Sequence, residues 1–419
     1  MAVNGETQLR EPAVVFRWIV LIFISLAMFG NYYVYDSIAP IADMIRASLG
    51  YDDEFIGAMY SVYSVAAIFI LLIGGVIIDK YGTKKSILFF GALCAVAALV
   101  TASSSDKYVM LAGRVLLGIG SEPLIVAITT SIAKWFKGKE LSFAFGLNLT
   151  IARLGSVAAD NSPSWGSSFY GDWQSPLYLA LIISLACLIG GIVYYFLENY
   201  AEKNYTLGKA GDTDKLEIKS LFSYKKTFWF VVALCVTFYS AVFPFRSFAI
   251  KFFMEAHGET REFAGFLNSI LPLSAMIATP LFGLLVDKVG KRALFMFIGS
   301  VLLLPVFLMM TYTGITLYVP IAMMGIAFSL IPAVMWPYVA YIVDEKKLGT
   351  AYALMTLIQQ VGLAGFNWLI GYANDISMAS PQNPDGYSLG MWIFSSLGFF
   401  GVLFSFLLRR AEAKEKMQS

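Results

Sequence analysis

The sequence predicts an all-α membrane protein: twelve transmembrane helices arranged as two pseudosymmetric six-helix bundles. Three observations predict it. Apolar residues make up 58% of the 419 positions and charged residues only 14%, with a mean hydropathy of +0.70. Lys and Arg gather in every second connection. One basic loop pattern occurs twice, once in each half of the chain.

Apolar runs of about 18 residues or more recur, each long enough to cross hydrocarbon as a helix. They centre near Ala27, Ala67, Ala95, Gly120, Ala152, Ser184, Tyr239, Ala275, Leu302, Gly325, Gln360 and Gly398. One set of connections holds Lys80, Lys84 and Lys85, then Lys134, Lys137 and Lys139, then Lys288, Lys291 and Arg292, then Lys346 and Lys347. Arg10 and Arg17, the stretch from Lys203 to Lys226, and Arg409 to Lys416 join that set. The opposite connections hold little beyond Arg46, Lys107 and Arg261. Basic loops stay cytoplasmic, so both termini are expected inside. The charged stretch 201–225 reads as a cytoplasmic linker between bundles 1–200 and 226–419.

The repeat supports a transporter built from two related halves, with its site between them. Gly75–Lys85 (GVIIDKYGTKK) follows the second span and Gly283–Arg292 (GLLVDKVGKR) the eighth. Asp79, Lys80 and Gly82 match Asp287, Lys288 and Gly290 at a fixed offset. The glycines suit a tight turn, and the basic residues hold the loop at the membrane surface.

Two spans carry a charge inside an apolar run: Glu122 in LLGIGSEPL and Arg153 in NLTIARLGS. A charge at bilayer depth costs roughly 2.5–3.5 kcal/mol on the insertion scale, so it needs a partner or a wet cavity. The reading is that both face a central cavity, an anion for an ammonium and a planar fork for a carboxylate. The competing readings are an ion pair of Glu122 with Arg114, two turns away, and an inter-helix salt bridge of Arg153. Tyr32, Tyr35 and Asp36 form one helical stripe that either lines the cavity or sits at an outer interface. Arg246 follows Phe243-Pro244-Phe245, where a proline bend turns it to the cavity, or else it snorkels outward with Lys251. Tyr239 lies one turn earlier. Asn268, Trp336, Gln359, Gln360 and Asn367 are polar or amphipathic groups of later spans, candidates for the cavity or for helix packing.

The duplicated loop and twelve spans resemble the major facilitator superfamily, and Arg114-Val-Leu-Leu-Gly118 resembles that family's fourth-span pattern. What the resemblance implies is a loop latch at Asp79, Lys80, Gly82, Asp287 and Gly290, with Arg114 belonging to the same conformational gate. The drug–proton antiporter motif G-P-x-x-G-G and the peptide–proton motif E-x-x-E-R are missing. Four stretches are similar to the family's lysosomal dipeptide uniporter branch: Tyr32–Pro40, Trp135–Ser156, Val242–Phe245 and Trp336–Ala353. The resemblance implies facilitative dipeptide transport, with Glu122 and Arg153 at the peptide ends. The rival readings are a proton-coupled carrier of small organic anions or drugs, and a non-transporting sensor or assembly partner.

The remaining composition narrows the field. Cys94, Cys187 and Cys235 sit in apolar runs and form no C-x-x-C, so no disulfide or metal site is expected. His257 is the only histidine and falls near an outer loop, which leaves no histidine relay in the core. No cofactor motif, catalytic constellation or nucleic-acid patch is present, so an enzyme is not expected. Expected partners are dipeptides and the lipid bilayer. Met1–Arg17 shows no acidic dileucine address, and the Asn148 and Asn204 N-x-T matches lie in a span and a cytoplasmic loop. A bacterial inner membrane is therefore expected, and the sequence leaves an accessory subunit unknown.

Overall fold

Helix after helix runs between short turns, and the hydropathy pattern explains why. A computed structural model of the chain describes residues 11–136, 140–207, 224–344 and 347–418. Arg10, Lys137, Lys139, Lys346 and most of the expected linker, 208–223, lie outside the described residues. Among the described residues, twelve helices are long and apolar enough to cross a membrane.

The first six are α1 (Val14–Asp36), α2 (Asp53–Tyr81), α3 (Thr83–Ser103), α4 (Lys107–Phe136), α5 (Leu141–Asp160) and α6 (Ser175–Asn204). The second six are α7 (Lys226–His257), α8 (Arg261–Val289), α9 (Arg292–Leu303), α10 (Tyr318–Ile342), α11 (Leu348–Ile376) and α12 (Ser388–Gln418). Pro305 breaks the ninth span, which resumes as Val306–Tyr312, since a proline removes one ladder hydrogen bond and clashes with the preceding turn. By contrast α7 runs on through Pro244, so the expected bend is not a helix break.

The two halves repeat locally. The second helix of each is capped by a side chain: Asp52 accepts from Phe55 N, and Thr260 from Phe263 N. The repeated basic loops turn at Gly82 (φ +79°) and Gly290 (φ +72°). Each donates its N–H back to the helix before it, to Ile78 O and Val286 O. A side chain is strained at such φ values, which is why both loops hold glycine at the same offset.

The start of α1 and the end of α12 lie at one end of the bundle, the basic side. Its ion pairs, Lys84–Glu202, Lys134–Glu198 and Arg292–Asp287, each join residues of one half. The far side is different, because there several pairs cross between halves, beside Arg46–Asp53 and Lys251–Glu255 within them. Arg261 holds Asp43 through two bonds, at 2.5 and 2.7 Å. Lys251 meets Asp53 at 2.8 Å, both wholly buried. Asp375 of α11 accepts from Asp53 N and Glu54 N at 3.0 and 2.6 Å, so an acid of one half caps the positive end of a helix in the other.

Backbones touch beside this lock. A Cβ on Gly57 would stand 2.2 Å from Asn367 O, and one on Gly371 2.1 Å from Asp53 O. Helices α2 and α11 thus close on each other at a distance that only glycine permits. Gly371→Ala is expected to disfavour the far-side-closed form by about 1–3 kcal/mol, raising the open-to-closed ratio about five- to 150-fold. Ser61, buried against Ala364 O at 2.6 Å, reports it: a cysteine there should react faster with a thiol reagent in the alanine variant. An unchanged rate would contradict the steric argument.

Candidate substrate-binding cavity

Between the halves, toward the basic side of the lock, lies a cavity of 310 Å³. That is within the range of small-molecule sites. From the first half α1 gives Asn31, Tyr32, Tyr35 and Asp36, α2 gives Tyr63, α4 gives Ser121, Glu122 and Ile125, and α5 gives Arg153 and Ser156. From the second, α7 gives Tyr239, Phe243 and Arg246, α10 gives Trp336, and α11 gives Thr356, Gln359, Gln360 and Leu363.

Glu122 and Arg153 therefore share one cavity but do not pair. Glu122 Oε1 accepts from Tyr63 Oη and from Gln360 Nε2, both at 3.0 Å. No cation stands within 4.0 Å of its carboxylate among the described residues. The Arg153 guanidinium lies between two rings, 5.6 Å from the centre of Tyr32 and 5.4 Å from that of Phe328. It has no carboxylate partner among the described residues, and its Nε is buried with no hydrogen-bond partner. A buried donor left unsatisfied costs about 1–3 kcal/mol, more for a charged group.

Arg114 is the correction to the ion-pair alternative. It does not reach Glu122. Its Nε, Nη1 and Nη2 donate to Met59 O, Val34 O and Tyr35 O at 3.3, 3.1 and 3.1 Å. Val34 and Tyr35 are in the last turn of α1, where carbonyls lack partners further along the helix. A cation there also suits the helix dipole. The rings of Tyr35, Tyr60 and Tyr63 surround it at 5.5, 5.1 and 6.0 Å. Arg114 thus fixes α1 and α2 against α4, and sits apart from the basic-side loops with which it was grouped. Asp79, Lys80, Gly82, Asp287 and Gly290 lie at those loops, where α2 and α8 end.

Arg246 closes the far end of the cavity, and the outward-snorkelling alternative does not hold. It is 3% exposed and donates to Asp160 at 2.8 Å and Asp36 at 3.4 Å. Lys251 likewise reaches Asp53, not water. Asp36 is buried in this cluster and not in outer water. Asn268 does not line the cavity; it stands behind Arg246 and donates to Asp160 Oδ1 at 2.7 Å. Asn367 takes a bond from Ser247 at 3.0 Å, a packing role inside the second half. Trp336 Nε1 donates to Tyr239 Oη at 3.0 Å, so these two wall residues hold each other.

Sequence reasoning missed Tyr63, Asn31, Ser156, Phe328 and Asp160. Asp160 offered a signal, an acid that ends the apolar run of α5.

A twelve-span protein in two repeated halves, with a cavity between them that both halves line, defines the class of secondary membrane transporters. The Major Facilitator Superfamily profile matches residues 24–366 and 245–419; the chain belongs to that family. Among similar proteins, the Lysosomal dipeptide transporter MFSD1 of Danio rerio is 32% identical over 86% of this chain and 81% of its own length. The protein of the same name from Homo sapiens is 31% identical over 86% and 80%. A solved bacterial homologue of the human lysosomal transporter Spinster, inward-facing and unoccupied, superposes with a TM-score of 0.77 at 15% identity, covering 96% of this chain and 99% of that one. The chain is an integral membrane transporter and not an enzyme.

Proposed function

We propose that the protein carries dipeptides by alternating access, as a facilitative uniporter. One observation supports this most: among the described residues, a single cavity holds an acid, Glu122, with no base beside it and a base, Arg153, with no acid beside it. A zwitterion supplies both missing partners at once. The similarity to proteins named lysosomal dipeptide transporters points to the same ligand class. Glu122 takes the ammonium and Arg153 the carboxylate, while aromatic walls leave the side chains unread. The ligand itself neutralises the two charges, so the loaded cavity needs no accompanying ion. The halves then rock about it, opening the far-side lock as the basic side closes.

On this proposal the basic side faces the cytoplasm, with both termini there, in a bacterial inner membrane. An accessory subunit is not required by anything at the cavity.

The separation of the poles makes length the selected property, since one residue adds about 3.5 Å of extended chain. In proteoliposomes, counterflow of labelled alanylalanine should be inhibited by unlabelled dipeptides. Alanine and trialanine should be at least tenfold weaker. An uncoupler should leave the flux unchanged. Equal inhibition by alanine would remove the two-pole proposal, and flux abolished by the uncoupler would remove uniport.

A further inference from the structure

We infer that Gln360 is the second acceptor for the substrate's amine, contributed by the half that lacks Glu122. The inference rests on the dipeptide proposal and says how the amine end is recognised.

Gln360 lies on α11, opposite Glu122 across the cavity boundary. Its amide orientation follows from the dipeptide proposal, in which Glu122 is ionised. An ionised carboxylate only accepts hydrogen bonds, so the group 3.0 Å from Glu122 Oε1 is the amide NH₂. The carbonyl oxygen is then the free end. Gln360 is 5% exposed, yet its Oε1 has no hydrogen-bond partner. A buried amide carbonyl beside a carboxylate, both lining one cavity, is an acceptor pair awaiting a donor that carries more than one N–H. Arg153, also at the cavity, has the opposite defect, a buried donor without an acceptor.

Glu122 already takes two neutral donors on Oε1, and no hydrogen bond reaches its Oε2 among the described residues. An ammonium placed between Glu122 Oε2 and Gln360 Oε1 gives one N–H to each. The first contact belongs to the N-terminal half and the second to the C-terminal half. The amine therefore ties the halves together, whereas Arg153 holds the carboxylate from one half alone. Charge by itself does not satisfy this site. A tertiary amine keeps its positive charge but has a single N–H, and leaves one acceptor empty.

The test uses alanylalanine and N,N-dimethyl-alanylalanine as competitors of labelled alanylalanine counterflow. The pH is 6.5, below the usual range of an α-amine, about 7.7–8.0, so both stay charged. In the wild type, dimethylation should weaken inhibition about tenfold, the scale of one hydrogen bond to a charged group. In Gln360→Met, which fills similar space without an acceptor, the penalty should shrink to about threefold or less. Gln360→Glu keeps an oxygen at that place and should keep the penalty. Should the methionine variant fail to reach the membrane, Gln360→Asn, which draws the amide back by one methylene, is read in its place. Equal inhibition by the two peptides in the wild type, or an undiminished penalty in Gln360→Met, overturns the assignment of Gln360 alone. No inhibition by alanylalanine itself overturns the dipeptide proposal along with it.

Discussion

Replacing Arg153 by glutamine is expected to weaken dipeptide inhibition of counterflow by about a hundredfold, with little loss of folded protein. The affinity term follows from the ligand. Removing one partner of a buried charge pair costs about 2–5 kcal/mol, and 1.4 kcal/mol is tenfold. The stability term follows from the unliganded protein. Among the described residues Arg153 makes no ion pair, and its Nε has no hydrogen bond, so the native state loses mainly the ring contacts with Tyr32 and Phe328. Those are worth roughly 0.5–2 kcal/mol. A structural salt bridge would behave in the opposite way, with a large stability loss and a small effect on ligand. Lysine at 153 restores charge but not the planar fork, and should recover only part of the affinity.

Lys251→Met is expected to open the far side. Lys251 and Asp53 are both wholly buried at 2.8 Å, on opposite halves. Removing the lysine leaves Asp53 in the closed form with Asn374 at 3.1 Å and Arg46 at 3.2 Å. Breaking one partner out of a buried pair costs about 3–5 kcal/mol. The cost falls on the closed form, because water reaches both groups once the halves part. The closed-to-open ratio should therefore drop about a hundredfold or more. Ser61→Cys, in a background freed of Cys94, Cys187 and Cys235, gives the readout as in the Gly371 experiment. Adding Asp53→Asn should restore part of the closed population. A variant that is merely less stable, with thiol reactivity unchanged, would show that the pair holds the fold and not the state.

The fold was legible because hydrophobic length and basic loops are local properties of a chain in a bilayer. The placement of Glu122 and Arg153 in one cavity was legible for a related reason: a charge in mid-span has few explanations. The far-side lock was not. Asp53, Asp160 and Lys251 sit toward helix ends, where charges are ordinary, and only the approach of α2 and α5 to α7 gives them partners. Arg114 shows a second limit. Its charge was plain in the sequence, but its acceptors are the carbonyls of Met59, Val34 and Tyr35, and a backbone oxygen has no letter. Tyr63 was lost among many aromatic residues, although it holds Glu122 in place.

The most direct measurement of the two-pole site pairs ligand ends with side chains. Thermal shifts are read for alanylalanine, its C-terminal amide and its desamino analogue, in the wild type, Glu122→Gln and Arg153→Gln. A ligand stabilises the form it binds, so the shifts rank affinity. Amidation should weaken the wild type strongly and Arg153→Gln hardly at all, while removal of the amine should do the same for Glu122→Gln. If each edited ligand instead loses the same factor in all three proteins, the poles do not grip the ends and the binding geometry described here is wrong.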